Sequence, residues 1–151
     1  MIDTVFTKMA LSFELGVLVG VDFFSRKKLS APRSKQAREV CLQIQNYCSK
    51  RLPNMVFDVE LEARGTEFQR KVWQALQQIP AGCVITYGDL ARQLKTSARA
   101  VGNACRANPI PLIIPCHRVV AKSGPGGFAG SRNGTPMKIK TGLLEHEGVS
   151  L

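Results

Sequence analysis

Three residues in the last third of the chain, Cys116, His117 and Glu147, are of the types that together activate a sulfur nucleophile. A cysteine attacks as its thiolate, and a free pKa of about 8.5 leaves little thiolate at neutral pH. A base must take the proton, and a third group usually orients that base. His117 directly follows Cys116, and on an extended segment adjacent side chains point to opposite faces. A water between thiol and imidazole is therefore the expected route for the proton. Glu147, on the last turn of a closing helix, is the acid that could orient the histidine. Residue types and order thus suggest a Cys–water–His–Glu chain, although a neighbouring Cys and His are by themselves a weak signal.

The elements that must hold these groups can be read outward from the cysteine. Residues 110–115 (IPLIIP) form a stiff apolar segment leading directly into Cys116. A loop over 124–134 follows, with Pro125 and five glycines, and then a helix over about 136–146, opened by Pro136 and ended at Gly148. Upstream, Thr66 and Gln69 make a capping box for a helix whose apolar stripe is Phe68, Val72, Trp73, Ala75, Leu76 and Ile79. Thr86 can cap a helix running through Leu94, Lys95-Thr96 turns the chain, and Ser97 caps a second helix to about Ala107. This spacing predicts a helix-turn-helix. Its second helix carries Ala98, Ala100, Gly102 and Ala104, small enough to let a backbone approach another surface closely, with Arg99 and Arg106 for phosphates or groove edges. A mid-helix glycine costs about 1 kcal/mol against alanine, and close approach gives Gly102 a reason to be there.

The first part of the chain has no signature of chemistry. Residues 15–24 (LGVLVGVDFF) predict a buried strand and 56–61 (VFDVEL) a half-buried one. Between them, 34–51 lacks Gly and Pro and aligns Ala37, Val40, Cys41, Ile44, Tyr47 and Cys48 on one helical face, with Pro53 as the stop. The expected organisation is α+β: a small supporting α/β domain over 1–62, and over 63–151 a mostly helical, winged-helix-like domain that carries the chemistry.

Charge separates the same two parts. Of the 151 residues, 9 basic and 7 acidic ones fall in 1–62, against 12 and 4 in 63–151, and the whole chain carries +10. A basic surface on the second part suits a polyanion, nucleic acid first and an acidic membrane surface second. With 44% hydrophobic and 21% charged residues and no apolar run long enough for a bilayer, the expectation is a globular protein without a membrane span. No signal peptide is legible, so a reducing, cytoplasmic location is expected. The five cysteines are odd in number and lack a CxxC pair, and there are two histidines, so no metal site and no cofactor are expected.

Pro115-Cys116-His117-Arg118-Val119, preceded by Arg99-Ala100-Val101-Gly102 and Asn108-Pro109, closely resembles the O6-alkylguanine-DNA alkyltransferase family. The resemblance extends over 65–148, where GTEFQRKVWQALQQIPAG, TYGDLA, ARAVG, RANP, LIIPCHRVV and LLEHEG keep the family's order. It implies irreversible, stoichiometric repair of duplex DNA, the alkyl group of O6-alkylguanine moving to Cys116 inside a minor-groove complex with the damaged base rotated out. By that resemblance His117 is the water-relayed base, Glu147 its orienter, and Tyr87 the phenol that helps the guanine leave. Asn108 holds the active-site backbone in register. Arg99 fills the gap in the duplex, with Ser97, Ala98, Ala100, Gly102 and Arg106 along the DNA. Val119 offers its carbonyl to the base, and Cys105, Phe128, Ala129 and Gly130 line the pocket. Arg118 is expected to form a salt bridge toward the N-terminal segment. A monomer that follows the DNA is implied, with activity on O4-alkylthymine left open.

The chain also departs from the pattern. Cys105 stands where relatives often carry other apolar residues, Ala129 stands where a serine can bond O6, and the zinc ligands of some relatives have no counterpart. Two other readings remain at this level. One is a non-enzymatic sensor of alkylated DNA, against which Cys116 itself argues. The other is a redox-sensitive winged-helix transcription factor, which would read one sequence through the major groove.

Overall fold

The computed structural model describes residues 2–3, 8–24, 30–128 and 134–150. Its first element is an antiparallel sheet of β1 (Ile2–Asp3), β2 (Lys8–Glu14) and β3 (Val17–Asp22) in that order. Leu15 and Gly16, both at positive φ, close a tight turn between β2 and β3. The strand expected over 15–24 is therefore shorter at both ends, and Leu15 at the turn tip is fully exposed. Its partner β2 was not legible. The 56–61 segment is not a ladder strand either. One parallel bridge joins Leu18 to Leu61, and the Gln43 side chain holds both the N–H and the carbonyl of Asp58 at 2.8 Å. The segment's backbone is thus shared between β3, which bonds it through Leu18 at Glu60 and Glu62, and the Gln43 side chain, which bonds it at Asp58.

Helix α1 (Lys35–Cys48) starts at Ser34, whose hydroxyl accepts from the Ala37 N–H, and buries Ala37, Val40, Ile44 and Tyr47 as its periodicity requires. It ends ahead of Pro53, where Lys50 turns into the left-handed region. Helix α2 (Glu67–Leu76) carries the full capping box between Thr66 and Gln69. Val72, Trp73 and Leu76 are buried, whereas Phe68, expected on the same stripe, projects from the first turn and is exposed. Trp73 donates its indole N–H to the Ala104 carbonyl at 2.8 Å, which fastens α2 beneath the helix-turn-helix.

That unit consists of α3 (Tyr87–Gln93), capped by Thr86, a turn with Lys95 at positive φ, and α4 (Ala98–Arg106), capped by Ser97. Just before α3, the short strand β4 (Ile85–Thr86) pairs in parallel with β5 (Val119–Val120), which follows the cysteine. Helix α5 (Gly134–His146) closes the chain. One contiguous core joins both parts: Leu18, Ile44 and Tyr47 pack with Trp73, Leu76 and the apolar segment 110–114. The N–H of Val21 in β3 also donates to the Pro109 carbonyl at 2.9 Å. The first sheet is thus bonded to the segment that precedes the cysteine.

Gly65 is fixed by close approach. A Cβ there would come within 2.5 Å of the Trp73 ring and 2.6 Å of the Gln69 amide oxygen. The glutamine can swing, but the ring is buried and tethered to Ala104. Gly65→Ala should therefore lower the unfolding free energy by about 1–3 kcal/mol through overpacking, as read by chemical denaturation.

Candidate active site

The segment 110–115 is not straight. The Ile114 N–H returns to the Ile110 carbonyl at 2.9 Å, with Leu112 between them at φ +76°. Asn108 makes this loop possible. Its Oδ1 accepts from the Ile110 N–H at 3.0 Å, and its Nδ2 donates to the Ile114 carbonyl at 2.8 Å. The chain then enters one 3-10 turn, Cys116–Arg118. This corrects the extended backbone expected at the cysteine, and the reason is the tight loop, which delivers the chain already coiled. Successive side chains in such a turn diverge by about a third of a circle, so the two neighbours still face different ways.

Cys116 faces a cleft of about 810 Å³ between α4 and the loop 121–128, lined also by Tyr87, Arg99, Gly102, Cys105 and Phe128. His117 turns inward and is fully buried. Its Nε2 lies 3.0 Å from Glu147 Oε2. A carboxylate only accepts, so Nε2 carries the proton and Nδ1 presents a lone pair. That Nδ1 is buried and, among the described residues, has no hydrogen-bond partner. Burial holds the imidazole below its ordinary pKa against the upward pull of Glu147, leaving a neutral base.

Glu147 is placed by the end of α5. The N–H of Gly148 donates to Glu145 and that of Val149 to Leu144, with Gly148 at φ +87°, a Schellman ending that a side chain at 148 would strain. The carboxylate is buried with Arg118, whose Nε and a terminal nitrogen contact Oε1 at 2.9 Å and Oε2 at 2.8 Å. Arg118 also donates to the Ile79 carbonyl at 2.6 Å. The salt bridge expected between Arg118 and the N-terminal segment is thus made instead to Glu147, which is buried beside it. Burial alone would raise the Glu147 carboxyl, but hydrogen bonds donated by Arg118 and His117, with the charge of Arg118, outweigh it and hold it well below the usual range.

The thiol is pushed up by burial, opposed by a hydrogen bond from Asn108 and by the charge of Lys140. Tyr87, at the first position of α3, is half-buried in the cleft, and burial raises its phenol to about 12. It remains a proton carrier at neutral pH. Cys105 is likewise raised to about 12 by burial and remains a thiol, a wall rather than a second nucleophile.

Other expected site residues divide by position. Ala98, Arg99 and Arg106 are exposed along the cleft side of α4, and Ser97 serves as the helix cap. Ala100 is half-buried and outside the cleft lining. Phe128 is buried against Phe23 of the N-terminal part, ring centroids 6.0 Å apart. Ala129 and Gly130 lie outside the described residues. Val119 is fully buried, and its carbonyl, expected to face an incoming base, accepts from Lys140 Nζ at 2.6 Å.

Lys140 was missed from the sequence. It is fully buried, bonds the Val119 and Gly127 carbonyls, and sits 5.7 Å from the centroid of the Tyr87 ring. Its signal was a lysine on the apolar stripe of α5, between Met137 and Leu143-Leu144. Burial lowers its pKa to about 8. Tyr47 was missed as part of the site as well: its hydroxyl donates to Glu147 Oε2 at 2.7 Å from across the molecule. Among the described residues, no group of three or more His, Cys, Asp or Glu is placed to hold a metal ion, and no helix is long and apolar enough to cross a membrane.

A family model described as the DNA-binding domain of 6-O-methylguanine DNA methyltransferase matches residues 67–149, which include every one of these cleft residues. The chain belongs to this family. A methylated-DNA–protein-cysteine methyltransferase of Methanosarcina acetivorans is 40% identical over 130 residues, covering 82% of this chain and 80% of that protein. One from Thermococcus barophilus is 52% identical over 91 residues, covering 59% of this chain, which spans only 49% of that relative's length. Among solved structures, Mycobacterium tuberculosis OGT in complex with DNA superposes with a TM-score of 0.80 at 36% identity, covering 97% of this chain and 89% of that one. The alkyltransferase likeness expected from the motifs and the mixed α+β fold both agree with these relatives.

Proposed function

We propose that this chain, a member of the methyltransferase family, repairs DNA by moving the alkyl group from O6 of guanine in a duplex onto Cys116, once and irreversibly. The observation that carries the reading is a cysteine in the wall of a cleft rimmed by α4, backed by a buried, neutral histidine fixed by a carboxylate. In the reaction His117 Nδ1 takes the Cys116 proton through a bridging water, and Glu147 keeps the ring oriented. The thiolate sulfur attacks the alkyl carbon in line and forms the C–S bond. The C–O6 bond breaks, and its electron pair leaves on the guanine, whose charge Tyr87 neutralises by hydrogen bonding. The product thioether has no ready hydrolytic exit.

The DNA partner is read from charge and shape. The basic excess lies in residues 63–151. Among the described residues a Cβ at Gly102 would meet nothing within 4 Å, so the reason for a small residue there is sought outside the fold. Helix α4, through Ser97, Ala98, Ala100, Gly102 and Arg106, lies in the minor groove, and the exposed Arg99 guanidinium takes the place of the rotated base. Extruding a base costs a few kcal/mol that such stacking partly offsets. The Val119 carbonyl, already bonded to Lys140, keeps a second lone pair for the base. The Mycobacterium relative, solved with DNA, supports this partner. The same reading has the chain acting as a monomer, in the compartment that holds the DNA, with 63–151 carrying the reaction and 1–62 supporting it. A pure sensor would have no use for a thiol with a base behind it.

The test is a titration with duplex DNA bearing labelled O6-methylguanine. Label should move to protein up to one methyl per chain and stop. Continued turnover overturns the reading.

A further inference from the structure

The N-terminal part carries no recognisable chemistry, yet through Tyr47 it reaches the carboxylate behind the histidine. Tyr47, near the end of α1, is completely buried. Its hydroxyl donates to the same Glu147 oxygen that His117 and Arg118 contact. Its own backbone carbonyl accepts from His146 Nε2 at 2.7 Å, and its ring packs against those of His146 and Phe57 at 5.1 and 5.5 Å. Two hydrogen bonds, one to the side chain of Glu147 and one from its neighbour, therefore latch α1 onto the end of α5.

We propose that Tyr47 is a positioning residue for alkyl transfer, its hydroxyl sharing the Glu147 carboxylate with His117 so that the histidine is oriented and yet kept free to act as a base. This rests on the function proposed above. A carboxylate facing a histidine alone draws it toward imidazolium, and an imidazolium cannot accept the proton of Cys116. Spreading the acceptor over Tyr47 and the Arg118 fork weakens that pull while leaving the Nε2–H bond in place. The charged or titratable groups acting on His117 are Glu147 from the end of α5, Arg118 from its own turn and Lys140 from within α5. Tyr47 acts on it through Glu147. Of these only Tyr47 comes from the N-terminal part, which gives that part a role in the chemistry beyond support.

Tyr47→Phe removes the hydroxyl and keeps the ring. The experiment measures single-turnover methyl transfer from O6-methylguanine duplex across pH, binding of the same duplex, and the imidazole titration of His117 by NMR, in wild type, Tyr47→Phe and Phe57→Leu. Tyr47→Phe should bind DNA as wild type does, move the acid limb up by about half a pH unit, and transfer up to about threefold more slowly on that limb. His117 should titrate at correspondingly higher pH. Phe57→Leu, which disturbs only the packing of the ring, should lower stability without moving the limb. If the Tyr47→Phe profile and His117 titration superimpose on wild type, whatever the loss in melting temperature, the proposal is overturned. A wild type that transfers no methyl would instead sink the proposed function, and the NMR titration would still report on Tyr47.

Discussion

Cys116→Ala should abolish alkyl transfer, a loss of at least about a thousandfold, while leaving affinity for alkylated duplex DNA within about threefold of wild type. The contrast follows from where the sulfur lies. Cys116 is in the wall of the cleft, and the residues proposed to meet DNA at its rim belong to α4, a separate element held by Trp73. Removing one sulfur takes away the only atom that can form the new bond and costs the fold about 1 kcal/mol, because the site is small and buried. Cys105 shares the cleft, but burial keeps it a thiol, raised to about 12. Gel-shift binding alongside labelled-methyl transfer separates the two effects. Loss of binding together with transfer would mean that the cysteine shapes the DNA surface, contrary to the proposed placement of DNA along α4.

The second large effect is expected at Glu147. Glu147→Ala leaves the buried Arg118 guanidinium, among the described residues, with the Ile79 carbonyl as its acceptor and removes the partner of both His117 and Tyr47. Breaking one side of such a buried pair costs about 3–5 kcal/mol, and the melting temperature should fall by about 10 °C or more. Glu147→Gln keeps an acceptor oxygen, so it should fold better than the alanine variant but transfer about a hundredfold more slowly, its histidine no longer fixed by a charge. Acid should act on the same network in two stages. His117 is depressed in the folded state, so the unfolded chain takes up its proton first, and stability begins to fall as pH drops below about 6.5. Glu147 is also depressed, so its contribution is fully present above its unfolded value near 4.5 and is lost as pH falls below it. Urea denaturation at a series of pH values reads both stages, and a stability flat from pH 7 to 5 would contradict the first.

The acceptor chemistry was legible because its parts are local or sit at recognisable ends. Cys116 and His117 are adjacent, Glu147 precedes the glycine that ends a helix, and Thr66, Thr86 and Ser97 each announce the helix they cap. The motif strings added a specificity that composition could not. Partners supplied across the fold were not legible. Tyr47 reads as one more apolar-face residue of α1, and its hydroxyl finds Glu147 only when the core closes. The clue was that a buried tyrosine hydroxyl needs a partner, which the sequence leaves unnamed. Lys140 is similar, a charge on an apolar stripe whose two carbonyl acceptors come from the loop after the cysteine. Strand errors had the same origin. A period of two matched the alternating exposure of 56–61, but pairing depends on what lies alongside, and there it is Leu18 of β3 at one end and the Gln43 side chain at Asp58.

The whole account rests on a covalent bond forming at one sulfur, and peptide mapping of the protein by mass spectrometry after incubation with O6-methylguanine duplex reads it directly. One methyl group should appear, confined to the peptide containing Cys116, and persist through reduction and an excess of fresh DNA. A methyl on any other residue, or unmodified protein beside demethylated DNA, would contradict the account.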